Sequence, residues 1–157
     1  MKLLVEEVHM YKHILVAVDG SDTSRAALTE AINLAQDRKS SLRLVHAVDL
    51  PLPYSDVSAP TVLTYREALE AEGRKVLEDC SAVVRAAGVQ FDTQLAACEK
   101  PGQKVYDVIE AEAKRWPADL VVVGTEGRRG IRRLFLGSVA EGLARISSKP
   151  LLLIRAG

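Results

Sequence analysis

The chain has 157 residues, with 21 Lys+Arg against 21 Asp+Glu, and is 48% hydrophobic but only 4% aromatic. That length suits one domain, and the apolar share excludes a disordered chain. No apolar run approaches the roughly 20 residues of a bilayer span, and balanced charge exerts no long-range pull on nucleic acid or anionic lipid.

Cys80 and Cys98 are too few for a disulfide framework and read as small buried apolar residues. Glu6 and Glu7 interrupt the apolar start, so no secretory leader is expected and the compartment expected is the cytoplasm. Residues 1–10 read as an N-terminal arm, with Met10 as an alternative start, and residues 11–157 as a single domain.

Ile14–Val18 is a short apolar run closed by Asp19-Gly20-Ser21, the pattern of a strand buried on both faces. Ala27, Leu28, Ala31, Leu34 and Ala35 follow at helical spacing, with Ser21 or Asp22 placed to cap. Leu42–Val48 is the second strand. Pro51, Pro53 and Pro60, with Ser55, Asp56 and Ser58, predict a loop over 49–63. Tyr65, Leu69, Val76, Cys80, Val83 and Ala87 then mark the apolar face of a long helix stopped at Gly88.

Val89, Phe91, Thr93 and Leu95 alternate with polar residues, as in a half-exposed edge strand. After the Pro101-Gly102 turn, Val105, Val108, Ile109, Glu112 and Trp116 mark a third helix ended by Pro117, with Trp116 assigned to the core. Leu120–Val123 is a second fully apolar strand, ending in Gly124. A fourth helix carries Val139, Leu143 and Ile146, and Leu151–Ile154 is the last strand.

Strict alternation of strands and helices gives an α/β fold: an open five-stranded parallel sheet with helices on both faces. The last strand falls at an edge by chain order, yet it is as apolar as the central ones. A bare apolar edge invites pairing, so a homodimer through residues 151–155 is expected, the competing arrangement being an edge covered by the N-terminal arm.

Ligands of such sheets bind beyond the carboxyl ends of the strands. The segment there with most chemistry is Gly124 to Glu141. Gly124 and Gly127 expose backbone amides, Gly137-Ser138 opens a helix, and Arg128, Arg129, Arg132 and Arg133 supply positive charge. All three features suit a phosphate. Each also has a plain structural role: Ser138-x-x-Glu141 forms a capping box, the glycines make turns, and the arginines are solvated. Neither G-x-G-x-x-G after the first strand nor G-x-x-x-x-G-K-[ST] anywhere occurs, which argues against a dinucleotide oxidoreductase and a P-loop NTPase.

Asp19 lacks a second acid or nucleophile, so no catalytic residue is assigned and any turnover is expected to be slow. His9, His13 and His46 read as ordinary, not as metal ligands. Tyr54 and Tyr65, flanking the proline-rich stretch, read as surface residues.

Gly124, Gly127, nine residues and Gly137-Ser138 spell G-x2-G-x9-G-[ST], the nucleotide pattern of the universal stress proteins. Asp19-Gly20-Ser21 after the first strand, His46-Ala47-Val48-Asp49 and Lys149-Pro150 resemble that family too, from about Tyr11 to Arg155. The resemblance implies a Rossmann-like sheet of order 3-2-1-4-5, akin to the adenine nucleotide alpha hydrolases, dimers paired through the fifth strand, and ATP binding with Mg²⁺. It places Ala17 and Asp19 near the ribose, with Asp19 reaching metal only through water. It puts the Ala47 backbone at the adenine edge and Val123 and Gly124 along the ribose. It wraps Gly127, Gly137, Ser138, Val139 and Ala140 around the phosphates. Arg128 and Arg129 join this set by their charge alone. Many ATP-binding members carry proline where this chain has Ala17, a departure of small expected effect. The function expected is a dimeric, ATP-switched stress regulator, the alternative being an interaction module that binds AMP or no nucleotide.

Overall fold

The computed structural model describes residues 10–50, 58–126 and 136–156. Residues 1–9, which hold most of the proposed arm and His9, lie outside that set, as do Tyr54, Gly127, Arg128 and Arg129. In chain order the elements are β1 (His13–Ala17), α1 (Asp22–Arg38), β2 (Ser41–Val48), α2 (Ala59–Ala86), β3 (Phe91–Ala97), α3 (Val105–Arg115), β4 (Leu120–Gly124), α4 (Ser138–Ile146) and β5 (Leu151–Ile154). The strands are all parallel, in the order β3-β2-β1-β4-β5.

Because successive strand side chains point to opposite faces, each central strand feeds two cores. Ile14, Val16, Leu42, Leu44, Leu120 and Val122 pack with Ala27, Leu28 and Ala31 of α1 and Leu77 and Val84 of α2. Leu15, Ala17, Val45, Val121 and Val123 pack on the other face with Ile109 and Ala113 of α3 and Ala140 and Leu143 of α4. Right-handed crossovers explain the division: the chain moves one way from β1 through β2 to β3, then the other way from β4 to β5. β3 is an edge strand as expected, and β5 is the other edge, its four residues half-buried.

Ser21 caps α1, its side chain accepting the Ser24 amide, and Lys39 closes the helix in the left-handed conformation at φ 55°. Three expectations need correction. α2 begins at Ala59, inside the predicted loop, with Pro60 in its first turn. Proline is welcome there because a first-turn N–H has no intrahelical partner. The buried face of α2 is also turned from the predicted one. Gly73, Leu77, Cys80, Ser81 and Val84 face the sheet, while Val83 is 51% and Tyr65 52% exposed. Trp116 is half-buried rather than core, with the Arg43 guanidinium 5.0 Å from its ring centroid and His13 edge-on at 5.3 Å.

Glu112, predicted on the apolar face of α3, is indeed buried, but as half of an ion pair. Arg43 of β2 donates to it at 2.7 Å while holding Asp92 at 2.7 Å, and Arg115 also donates to it. Cys80 and Cys98 are buried thiols, as expected.

Glu110 on α3 is 4% exposed. Its Oε1 accepts the Ser148 amide at 2.9 Å and the Ser148 hydroxyl at 2.7 Å, with Lys114 at 3.4 Å. Burial pushes its pKa up, but the hydrogen bonds from Ser148, Ser147 and Lys114 together outweigh that and hold it below the ordinary 4.5. A carboxylate lowered in the native state stabilises fully above its unfolded pKa and loses that contribution as pH falls through the native value. Glu110→Gln should therefore be less stable than the parent at neutral pH, with the gap closing below about pH 4. Urea midpoints measured across that range check it; a pH-independent gap would contradict it.

Candidate functional site

β1 and β4 are neighbours, yet the connections from their carboxyl ends leave in opposite directions. The crevice between them is the topological switch point, where open parallel sheets bind ligands. Asp19, Ser21 and the first turn of α1 form one wall. Gly124, Thr125, Glu126 and the start of α4 form the other.

The α1 wall is a hydrogen-bonded turn. Asp19 donates its amide to the Ser24 hydroxyl at 3.0 Å and accepts the Ser21 amide on Oδ1 at 2.9 Å. Val18 is held from both sides: its amide donates to Val45 O at 2.9 Å, and its carbonyl lies 2.8 Å from His46 Nδ1, on the neighbouring strand. A carbonyl only accepts, so the His46 proton sits on Nδ1. His46 is thus an ordinary buried histidine, as read, and α2 accommodates its ring by having no side chain at Gly73. A Cβ there would lie 2.6 Å from His46 Cδ2.

On the β4 wall, Thr125 donates to Ile154 O at 2.8 Å and accepts the Gly137 amide at 2.7 Å. That bond seats the start of α4 beside the end of β4. Gly137 is the N-cap, and among the described residues no side chain caps the helix. The predicted capping box is absent: Ser138 is the first helical residue, and Glu141 accepts from Arg145 at 2.7 Å instead. The amides of Ser138, Val139 and Ala140 have no intrahelical carbonyl to reach, and the helix dipole adds positive potential there. Such an end is suited to an anion.

The predicted site residues divide by what they can offer. Ala17, Val123 and Ala140 belong to the core beneath the crevice and offer chiefly their backbones, while Ala47 and Val139, packed against it, are only partly buried. Gly124 has a packing reason of its own. A Cβ there would lie 2.9 Å from the carbonyl carbon, Cβ and Oγ1 of Thr23. Gly127, Arg128 and Arg129 lie outside the described residues. Thr23 and Ser24, both 4% exposed, are site-wall residues the spacing argument missed. The only cue was the hydroxyl-rich run Ser21-Asp22-Thr23-Ser24 after an apolar strand. Nearby, burial and then the Asp49 and Asp107 carboxylates push the Cys98 thiol up to about 11, so it stays protonated and weakly nucleophilic at neutral pH.

An open parallel sheet wound in both directions from its switch point, with helices on both faces, defines a doubly wound α/β protein. The Universal stress protein family profile matches residues 10–155. The chain is 30% identical over 155 residues to Universal stress protein YxiE of Bacillus subtilis, covering 93% of this chain and all of that one. Its fold superposes on universal stress protein UspA from Lactobacillus plantarum with TM-score 0.81 at 26% identity, covering 92% of this chain and 98% of that one. It is also similar to the universal stress protein from Archaeoglobus fulgidus in complex with dAMP, with TM-score 0.63, 25% identity and 92% and 98% coverage. The chain belongs to the universal stress protein family.

Proposed function

We propose that this chain is a cytoplasmic stress regulator that binds ATP with Mg²⁺ at the β1/β4 switch point, occupancy rather than turnover being the signal. The observation that carries the reading is the uncapped start of α4, seated at the end of β4 by the Gly137–Thr125 hydrogen bond. The Archaeoglobus fulgidus relative, solved with an adenine nucleotide, supports it.

The donor set fits the ligand. Ser138, Val139 and Ala140 would offer amides to phosphate, with Gly127 and Gly137 allowing close approach and Arg128 and Arg129 adding countercharge. Ala17, Val123 and Gly124 would present backbone to the ribose, and Ala47 to the adenine edge. Low aromatic content favours this backbone and aliphatic cradle over a stacked ring. Asp19 commits Oδ1 to Ser21, leaving Oδ2 for the ribose or a metal-bound water. Mg²⁺ characteristically keeps several waters and one or two carboxylates alongside substrate phosphates, so one acidic residue suffices. The metal would supply charge neutralisation between phosphates. The working unit would be a homodimer, for which the apolar edge strand β5 is the supporting feature.

That the Archaeoglobus fulgidus relative was solved with dAMP favours one second reading, an AMP-binding interaction module. Titration calorimetry with ATP, AMP and GTP, with and without Mg²⁺, separates them. ATP binding that tightens with Mg²⁺ and exceeds GTP binding is expected. AMP binding tighter than ATP and indifferent to Mg²⁺ would favour the second reading. No heat with any nucleotide at millimolar concentration would end both.

A further inference from the structure

Two serines at the start of α1 are joined to Asp19 in a closed circuit. Asp19 donates its amide to the Ser24 hydroxyl at 3.0 Å. Ser24 donates its amide to the Ser21 hydroxyl at 3.2 Å. Ser21 donates its amide to Asp19 Oδ1 at 2.9 Å, which closes the ring. Each residue thus gives its backbone N–H to the side chain of the next and receives one in return.

A capping box has two members: the N-cap side chain takes the amide three residues on, and that residue's side chain takes the N-cap amide back. The first half is present here, between Ser21 and Ser24. The return half is routed through Asp19, which takes the Ser21 amide on its carboxylate while Ser24 takes the amide of Asp19. Gly20, at φ 81°, makes the reversal between them, in the left-handed region that glycine enters at no steric cost.

The circuit holds Asp19 at two points, its amide and one carboxylate oxygen. The residue before it is held separately by β2: Val18 donates to Val45 O at 2.9 Å, and its carbonyl accepts from His46 Nδ1 at 2.8 Å. Asp19 Oδ2 takes no part in the circuit. Ser24 itself is 4% exposed, so its hydroxyl meets the turn and not the crevice. Removing that hydroxyl leaves the Asp19 amide without its acceptor and opens the ring.

We infer that Ser24 is a positioning residue for Asp19: its hydroxyl holds the Asp19 amide and thereby aims the carboxylate that the Ser21 amide orients. The consequence for a ligand rests on the proposed nucleotide reading; the circuit does not.

Ser24→Ala removes the acceptor and adds no bulk. Without nucleotide, amide exchange followed by NMR should be at least tenfold faster at Asp19 and should change by less than about threefold at Val18, whose amide is bonded to β2. Equal acceleration at both, which a general loss of stability would produce, or none at Asp19, would overturn the positioning role. For the site, ATP with Mg²⁺ is titrated into the parent, Ser24→Ala, Asp19→Asn and the double variant. Asp19→Asn keeps an oxygen for the Ser21 amide and removes the charge. Each single variant should lose about tenfold in affinity. The double variant should bind within about twofold of Asp19→Asn, because Ser24 then has no carboxylate to aim. Parent-like affinity in either single variant, or losses that multiply in the double one, would overturn action on the ligand through Asp19. A parent protein that binds no nucleotide would instead remove the nucleotide reading, and the exchange result would decide whether Ser24 fixes Asp19.

Discussion

Gly124→Ala should destabilise the protein by about 1–3 kcal/mol, the range for forcing an extra methyl into a packed core. Taken alone, glycine to alanine stabilises by about 0.4–1 kcal/mol, because the unfolded chain loses freedom. The contact decides the sign. The new Cβ would sit 2.9 Å from three atoms of Thr23, and one of them is a backbone carbonyl carbon that no rotamer change can move. Relief requires the first turn of α1 to shift, and that turn carries the Ser21 and Ser24 contacts of Asp19. At roughly 2–4 °C per kcal/mol for a chain of this size, Tm falls by several degrees. A lower urea midpoint at unchanged m-value, with weakened ATP binding, is the expected pair of results. A midpoint equal to the parent's would mean that α1 moves freely over β4.

The strands were legible because continuous apolar runs between turn signals need no periodicity to be recognised: ILVAV and LVVV, buried on both faces, and LLLI, half-buried at the edge. Their order followed from the family resemblance, and the two-sided helix arrangement from chain order and the handedness of crossovers. The face of α2 was not legible, because apolar periodicity counts Val83 and passes over Gly73 and Ser81. What selects that face is His46 and Leu95, which would crowd any side chain at position 73. Such complementarity between α2 and the sheet leaves no local pattern. The Arg43–Glu112 pair, spanning 69 residues, is hidden for the same reason.

At the site, two features have a structural side that spacing does not show. Gly124 reads as backbone exposed to a ligand, and its missing Cβ also makes room for Thr23. Ser138-x-x-Glu141 reads as a capping box, yet the helix takes Gly137 as its cap, and among the described residues no side chain caps its amides. The second difference strengthens the phosphate reading, since a capped end would have fewer donors to give. It also separates stability from binding at one position.

Ser138→Asp should move those two properties in opposite directions. Ser138 is the first helical residue of α4 and is exposed. An aspartate there complements the helix dipole and should stabilise the fold by about 0.3–1 kcal/mol. The same charge would stand beside the amides proposed for phosphate. Two like charges about 5 Å apart at an effective dielectric near 20 repel by roughly 3 kcal/mol before salt screening. Screening at an exposed site reduces this, so a loss of about 10–100-fold in ATP affinity is expected, at 1.4 kcal/mol per tenfold. Ser138→Ala, which keeps the amide and adds no charge, should lose far less. The deficit of Ser138→Asp should shrink as salt is raised and should be smaller for adenosine than for ATP. Higher Tm with weaker, salt-sensitive ATP binding would place phosphate at the start of α4. Unchanged ATP affinity in a folded Ser138→Asp variant would remove α4 from the phosphate site.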